Sequence, residues 1–171
     1  LPETRARVLA AVEHVGYRPN LAARALKVGR TRLLGVLCIG TGAFETPSTM
    51  EGIENAATEA GYAVTFASTR SRTAADVKRV VDVLVDQRVD GIILMAPQTT
   101  TDVAALPLPE GLPVVRVEGD PGSEAVGVAL KQADGARAAT EHLLDLGHET
   151  VWHVSGPADW FDSVERQRGW R

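Results

Sequence analysis

From residue 33 onward, short continuous apolar runs alternate with segments of helical periodicity, and that alternation leaves few folds open. The runs are Leu33–Ile39, Tyr62–Ala67, Gly91–Ala96, Val114–Val117 and Ala125–Leu130. A continuous apolar run of this length is the mark of a strand covered on both faces, as in a parallel sheet. Between the first three runs, Met50, Ile53, Ala57 and Ala60 fall on one helical face, and Val77, Val80, Val81, Leu84 and Val85 on another. The runs beginning at Leu33, Tyr62 and Gly91 are spaced 29 residues apart each time. That rhythm predicts consecutive strand–helix units of an α/β doubly wound parallel sheet, without the sequence self-similarity of a solenoid. A further helix is predicted over Asp134–Leu146, with Ala136, Ala139, Thr140, Leu143 and Leu144 inward and Gly147 as its stop. A new strand is predicted over Val151–Ser155.

The first 32 residues have a different texture. Glu3–Val15 reads as a helix with Val8, Ala11, Val12 and Val15 on one face and Gly16 as its stop. Pro19-Asn20 breaks the chain, Asn20 can cap a second helix over Leu21–Val28, and Gly29 ends it. A helix of two turns is marginal alone and needs a partner. These residues carry seven basic side chains against two acidic ones, or +5, while the rest carry 11 against 20, or −9. A basic arm on an acidic body is the footprint of an anionic partner. The competing reading is a solvated basic helix and an amphipathic linker packed on the body.

With 171 residues, 44% hydrophobic and 23% charged, the chain has the size of one domain with an appendage, and disorder or a fibrous repeat is a poor fit. No apolar run reaches the roughly 18 residues of a membrane span. One cysteine, Cys38, precludes an internal disulfide and fits a reducing cytoplasm. Its place inside a strand predicts a buried, inert thiol. The four histidines show no metal-ligand spacing. Gly40-Thr41-Gly42 lacks the third glycine of a dinucleotide loop and has Glu45 in its place, which would repel a pyrophosphate. No nucleophile–base arrangement is visible, so an enzyme is the weakest of the readings, and no metal or cofactor is expected.

Several segments together carry a resemblance. They are Thr4-Arg5-Ala6-Arg7-Val8, then Gly16-Tyr17-Arg18-Pro19-Asn20, Ala23-Arg24, Leu26 and Gly29-Arg30-Thr31. Leu34-Gly35-Val36, Gly52-Ile53-Glu54, Ala60-Gly61-Tyr62 and Arg88-Val89-Asp90-Gly91-Ile92-Ile93 follow. Gly135-Ala136, His142-Leu143-Leu144, Leu146-Gly147-His148, Ser155-Gly156-Pro157, Arg166 and Gly169-Trp170 complete the set. In this order and spacing the chain resembles the lactose-repressor (LacI) family of bacterial regulators. The resemblance implies a periplasmic-binding-protein-like core preceded by a partial helical headpiece. It places the last headpiece helix at 1–18, a hinge helix and linker at 19–32, the first core subdomain at 33–147 and the start of the second at 148–171. It departs from the family in Leu1, where a helix cap is usual, and in Lys131, where Asp is common. The family's helix-turn-helix pair and the distal half of its core have no counterpart among these residues, so the chain reads as a fragment, one that would bind DNA weakly and without sequence preference.

The resemblance implies a homodimeric, cytoplasmic, ligand-responsive repressor of a double-stranded DNA operator, with a small-molecule effector, a sugar or a nucleotide base, between its subdomains. It places Asn20, Ala23 and Leu26 in the minor groove and Thr4 and Tyr17 at phosphates. Physical chemistry agrees at the hinge: small residues permit close approach, an apolar Leu26 can wedge into a base step, and neighbouring cations contact phosphates. For the effector, Phe44, Pro47 and Ser48 match the family's loop after the first strand, and Asp134 and Arg166 match ligand-contacting positions in sugar-responsive members. A carboxylate and a guanidinium are strong hydroxyl partners, which favours a sugar. Arg166 could equally pair with Glu165 or Asp162. Trp160, in the loop-like stretch Gly156–Asp162, offers an aromatic face to a sugar ring, with core packing as the alternative. Trp152 and Trp170 are expected in a core. An extracytoplasmic sugar-binding protein of a transport system shares the architecture and is the alternative function; the basic arm argues against it.

Overall fold

The computed structural model describes residues 2–16, 25, 29–40, 47–98, 105–118 and 126–171. The chain divides into two compact units, Leu1–Arg32 and Leu33–Arg171. In the first, α1 spans Pro2–His14 and buries none of its residues. Val8, Leu9 and Val15 are all more than half exposed. Gly16 ends the helix in the left-handed region at φ +61°, its N–H donating to the Glu13 carbonyl, a conformation glycine adopts without a Cβ penalty. The predicted second helix lies outside the described residues except for Ala25, whose carbonyl accepts from Gly29 N–H at 2.8 Å.

The second unit is built on five strands: β1 (Leu33–Ile39), β2 (Ala63–Thr69), β3 (Gly91–Met95), β4 (Val114–Val117) and β5 (Gly127–Val128). All pairings are parallel, in the order β2-β1-β3-β4-β5. Between the strands run α2 (Pro47–Glu59) and α3 (Ala74–Asp86), and after them α4 (Gln132–Asp145) and α5 (Phe161–Trp170). The period of two along each strand separates two cores. Leu37, Ile39, Ile92, Leu94 and Ala96 face Val77, Val81 and Leu84 of α3. Val36, Cys38 and Met95 face the other way, against Met50 and Ile53 of α2. The helical faces predicted from periodicity are thus the packed faces, except that Ala60 lies past the end of α2 and is exposed, and each fully buried aliphatic side chain contributes about 1.5–3 kcal/mol. Gly35 lets α3 close on β1, since a Cβ there would meet the Leu84 side chain at 3.1 Å. Thr73 caps α3, its side chain accepting from Asp76 N–H.

Three expectations are corrected. Val151–Ser155 forms no strand: among the described residues no other strand lies beside it, and extended backbone becomes a strand only when a neighbour supplies the ladder. Its residues alternate all the same. Val151 and His153 turn toward Trp170, which stacks on His153 with ring centroids 5.6 Å apart and donates from Nε1 to the Val151 carbonyl at 2.9 Å. Trp152 and Val154 point outward, 89% and 96% exposed, so Trp152 is not core. Finally, α4 buries only Ala133, and Leu143 and Leu144 are exposed. That helix packs along α5 at a crossing so close that a Cβ on Gly169 would land on the Ala133 carbonyl. Its distal apolar face has no cover among the described residues.

Candidate functional site

Strand order reverses between β1 and β3, since β2 lies outside β1 and the later strands lie outside β3. Open parallel sheets bind ligands at such a switch point, beyond the carboxyl ends of the strands. Gly40 follows β1 there, and Gln98 lies three residues past the end of β3. Gln98 is buried and donates from Nε2 to the Gly40 carbonyl at 2.9 Å. Gly40 has φ +69°, a region that favours glycine, and a Cβ there would lie 2.8 Å from Gln98 Oε1.

The segment 157–162 docks against this crest. Trp160 forms an isolated antiparallel bridge with Gln98, and Phe161 N–H donates to the Pro97 carbonyl at 2.8 Å. At its flank Arg72 pairs with Asp159 at 3.2 Å, both groups about half exposed. Beneath it Arg116, a buried cation on β4, donates from Nη2 to the Ala96 carbonyl at 2.8 Å and from Nε to the Glu118 carbonyl at 3.1 Å. One guanidinium therefore ties the ends of β3 and β4 together.

A polar cluster lies beside Arg116. Glu118 sits just past β4 with φ +63°, in the left-handed region that costs a non-glycine residue roughly 1–2 kcal/mol and that often marks functional positions. Burial pushes its carboxyl above the ordinary range and the Asp162 carboxylate adds to the shift, with Arg166 opposing it. Gln132, opening α4, donates from Nε2 to Asp162 at 2.7 Å and accepts from Arg166 Nη1 at Oε1, at 3.0 Å. Arg166 approaches Asp162 at 3.9 Å. The cluster holds two carboxylates, one guanidinium and an amide, a set able to receive and donate hydrogen bonds to several hydroxyl groups of one ligand.

The sequence-predicted residues that the structure describes fall in four places. Trp160 and Arg166 belong to the crest and the adjoining cluster. Asp134 lies elsewhere, exposed in the first turn of α4. It lines an open cavity of about 580 Å³ with Lys131, Phe161, Glu165 and Arg168, where Arg168 pairs with Glu165 at 3.2 Å. Pro47 and Ser48 are exposed at the start of α2, and Thr4 is exposed on α1. Phe44, Tyr17, Asn20, Ala23 and Leu26 lie outside the described residues. Sequence reasoning missed Gln98, Glu118 and Gln132, whose only signal is position. It also missed Arg116, where a cation inside the apolar run Val114–Val117 was a signal. Among the described residues no group of three or more His, Cys, Asp or Glu could hold a metal ion, and no helix is long and apolar enough to cross a membrane.

Comparison with known proteins agrees with this architecture. Residues 46–171 match the family described as periplasmic binding proteins and sugar binding domain of LacI family. The HTH-type transcriptional repressor PurR of Aliivibrio fischeri is 30% identical over 97% of this chain and 50% of its own length. The lac repressor dimer bound to operator and the anti-inducer ONPF superposes with a TM-score of 0.81 at 27% identity, over 99% of this chain and 52% of that one. The transcriptional regulator CelR in complex with cellobiose gives 0.65 at 26% identity, over all of this chain and 52% of that one. The chain spans about half the length of the relatives it matches.

Proposed function

The chain belongs to the LacI family, and from that membership we propose that its complete polypeptide is a ligand-responsive repressor of transcription. The observation that carries this reading is the extent of the match. The binding-domain family alone accounts for residues 46–171. The repressor relatives continue through nearly all of the basic arm as well, over 97% of the chain for PurR and 99% for the lac repressor. A transport binding protein has no use for seven cations in 32 residues, whereas DNA phosphates do.

In this reading the protein acts in the cytoplasm as a homodimer and catalyses no reaction. Asn20, Ala23 and Leu26 enter the minor groove of a double-stranded operator, with Thr4 and Tyr17 on phosphates. A small-molecule effector, a sugar, occupies the switch point between the two core subdomains. Phe44, Pro47 and Ser48 rim it from the first subdomain and Trp160 and Arg166 from the second, while Asp134 contributes from the adjoining cavity on α4. The Trp160 face stacks on a sugar ring, and the Arg166–Gln132–Asp162 cluster exchanges hydrogen bonds with its hydroxyls. Occupancy shifts the segment 157–162 and α5 relative to the crest. DNA affinity changes because the effector binds the two arrangements unequally.

Anisotropy of a fluorescent duplex titrated with the complete polypeptide, with and without cellobiose, lactose or D-ribose, tests the proposal. The expected result is binding that one of these sugars shifts by roughly 5–150-fold. Absence of duplex binding at low salt would refute it.

A further inference from the structure

Gln98 is 2% exposed, yet half of its amide is unsatisfied. Nε2 donates to the Gly40 carbonyl, while Oε1 is shut off from solvent and has no partner among the described residues. The bond to Gly40 fixes the amide's sense, because the flipped amide would set two oxygens against each other. A buried acceptor left open costs its full desolvation, and an apolar side chain would avoid that cost. Burial itself therefore does not explain the glutamine. Its position does offer an explanation: it stands at the β1/β3 reversal, where open parallel sheets hold their ligands.

We propose that Gln98 is a specificity-determining contact for the effector. This rests on the effector-binding reading above. Gly40 seats the amide through Nε2, and Oε1 accepts a hydrogen bond from a hydroxyl or amine of the bound molecule. An acceptor held in this way selects ligands with a donor at that point and rejects deoxy or O-methyl analogues, which would leave it unpaired. Oε1 is closed off from solvent, so binding includes an opening step that does not depend on ligand concentration, and the neighbouring bridge between Gln98 and Trp160 is the contact proposed to part.

The test is calorimetric titration of the complete polypeptide with cellobiose, lactose and D-ribose, comparing wild type with Gln98→Leu and Gln98→Met. The expected result is that the sugar bound by the wild type is bound roughly ten- to a hundredfold more weakly by both variants. Gln98→Met keeps the side-chain length and decides the matter if the leucine variant does not fold. Unchanged affinity in a folded variant overturns the assignment and leaves Gln98 a packing residue. A wild type that binds none of the three sugars overturns the effector reading itself, and this assignment with it. In stopped flow the observed rate is expected to level off with sugar concentration; a strictly linear rise overturns the opening step.

Discussion

Arg116 shows most directly how single residues build the site. Its guanidinium is 5% exposed and serves the carbonyls of Ala96 and Glu118, so it fixes the crest from below. Arg116→Met keeps much of the volume and removes both charge-assisted bonds. It is expected to lower stability by about 2–4 kcal/mol, read from the shift in urea midpoint; an unchanged midpoint would mean that the two bonds contribute nothing net. Glu118 makes a prediction of opposite sign. Its carboxyl is raised by burial and by Asp162, so the folded state binds the proton more tightly than the unfolded state. Stability from this group is fully present below the unfolded value of 4.5 and is lost as pH rises through the folded value. Glu118→Gln should therefore raise the melting temperature at pH 7 relative to wild type, with the gain shrinking toward pH 4. A gain independent of pH would assign the effect to the strained backbone or to packing instead.

Elements were legible where the signal is local. β1, β3 and β4 lie within or at the predicted apolar runs, and the packed faces of α2 and α3 are those that periodicity marked, because a strand covered on both faces and an amphipathic helix each write their burial into neighbouring residues. What lies beside an element is not written there. Val151–Ser155 has the composition of a strand and lacks a neighbour, and Leu143 and Leu144 mark a face of α4 without saying what covers it. The site was legible in part for the same reason. Trp160 and Arg166 stand out by chemistry and resemblance, whereas Gln98 follows an apolar run like any polar loop residue, and only the sheet order brings it to Gly40. Two further substitutions test this level. Gly169→Ala drives a methyl group into the Ala133 carbonyl and should part α4 from α5, a loss of at least about 1–3 kcal/mol, with Trp170 emission reporting the change. Thr73→Ala removes the cap of α3 and should cost about 1 kcal/mol. Both are checked by denaturant titration, and a neutral Gly169→Ala would contradict the close crossing.

At the scale of the whole molecule, an acidic α/β body follows a basic arm, and that division of charge sets the behaviour to expect. Duplex affinity should fall steeply as salt rises, since each cation that neutralises a phosphate releases a counterion. Replacing Arg5 and Arg7 of α1 by Gln should flatten that slope without altering sequence preference, because phosphate contacts position a protein and do not read bases. The measurement that reaches the central claim most directly is selection of bound DNA from a randomised duplex pool by the complete polypeptide. A homodimeric repressor should enrich sites of twofold-symmetric character, two half-sites set a fixed distance apart. Recovery of a pool no different from the input, at low salt and without added sugar, would contradict the account.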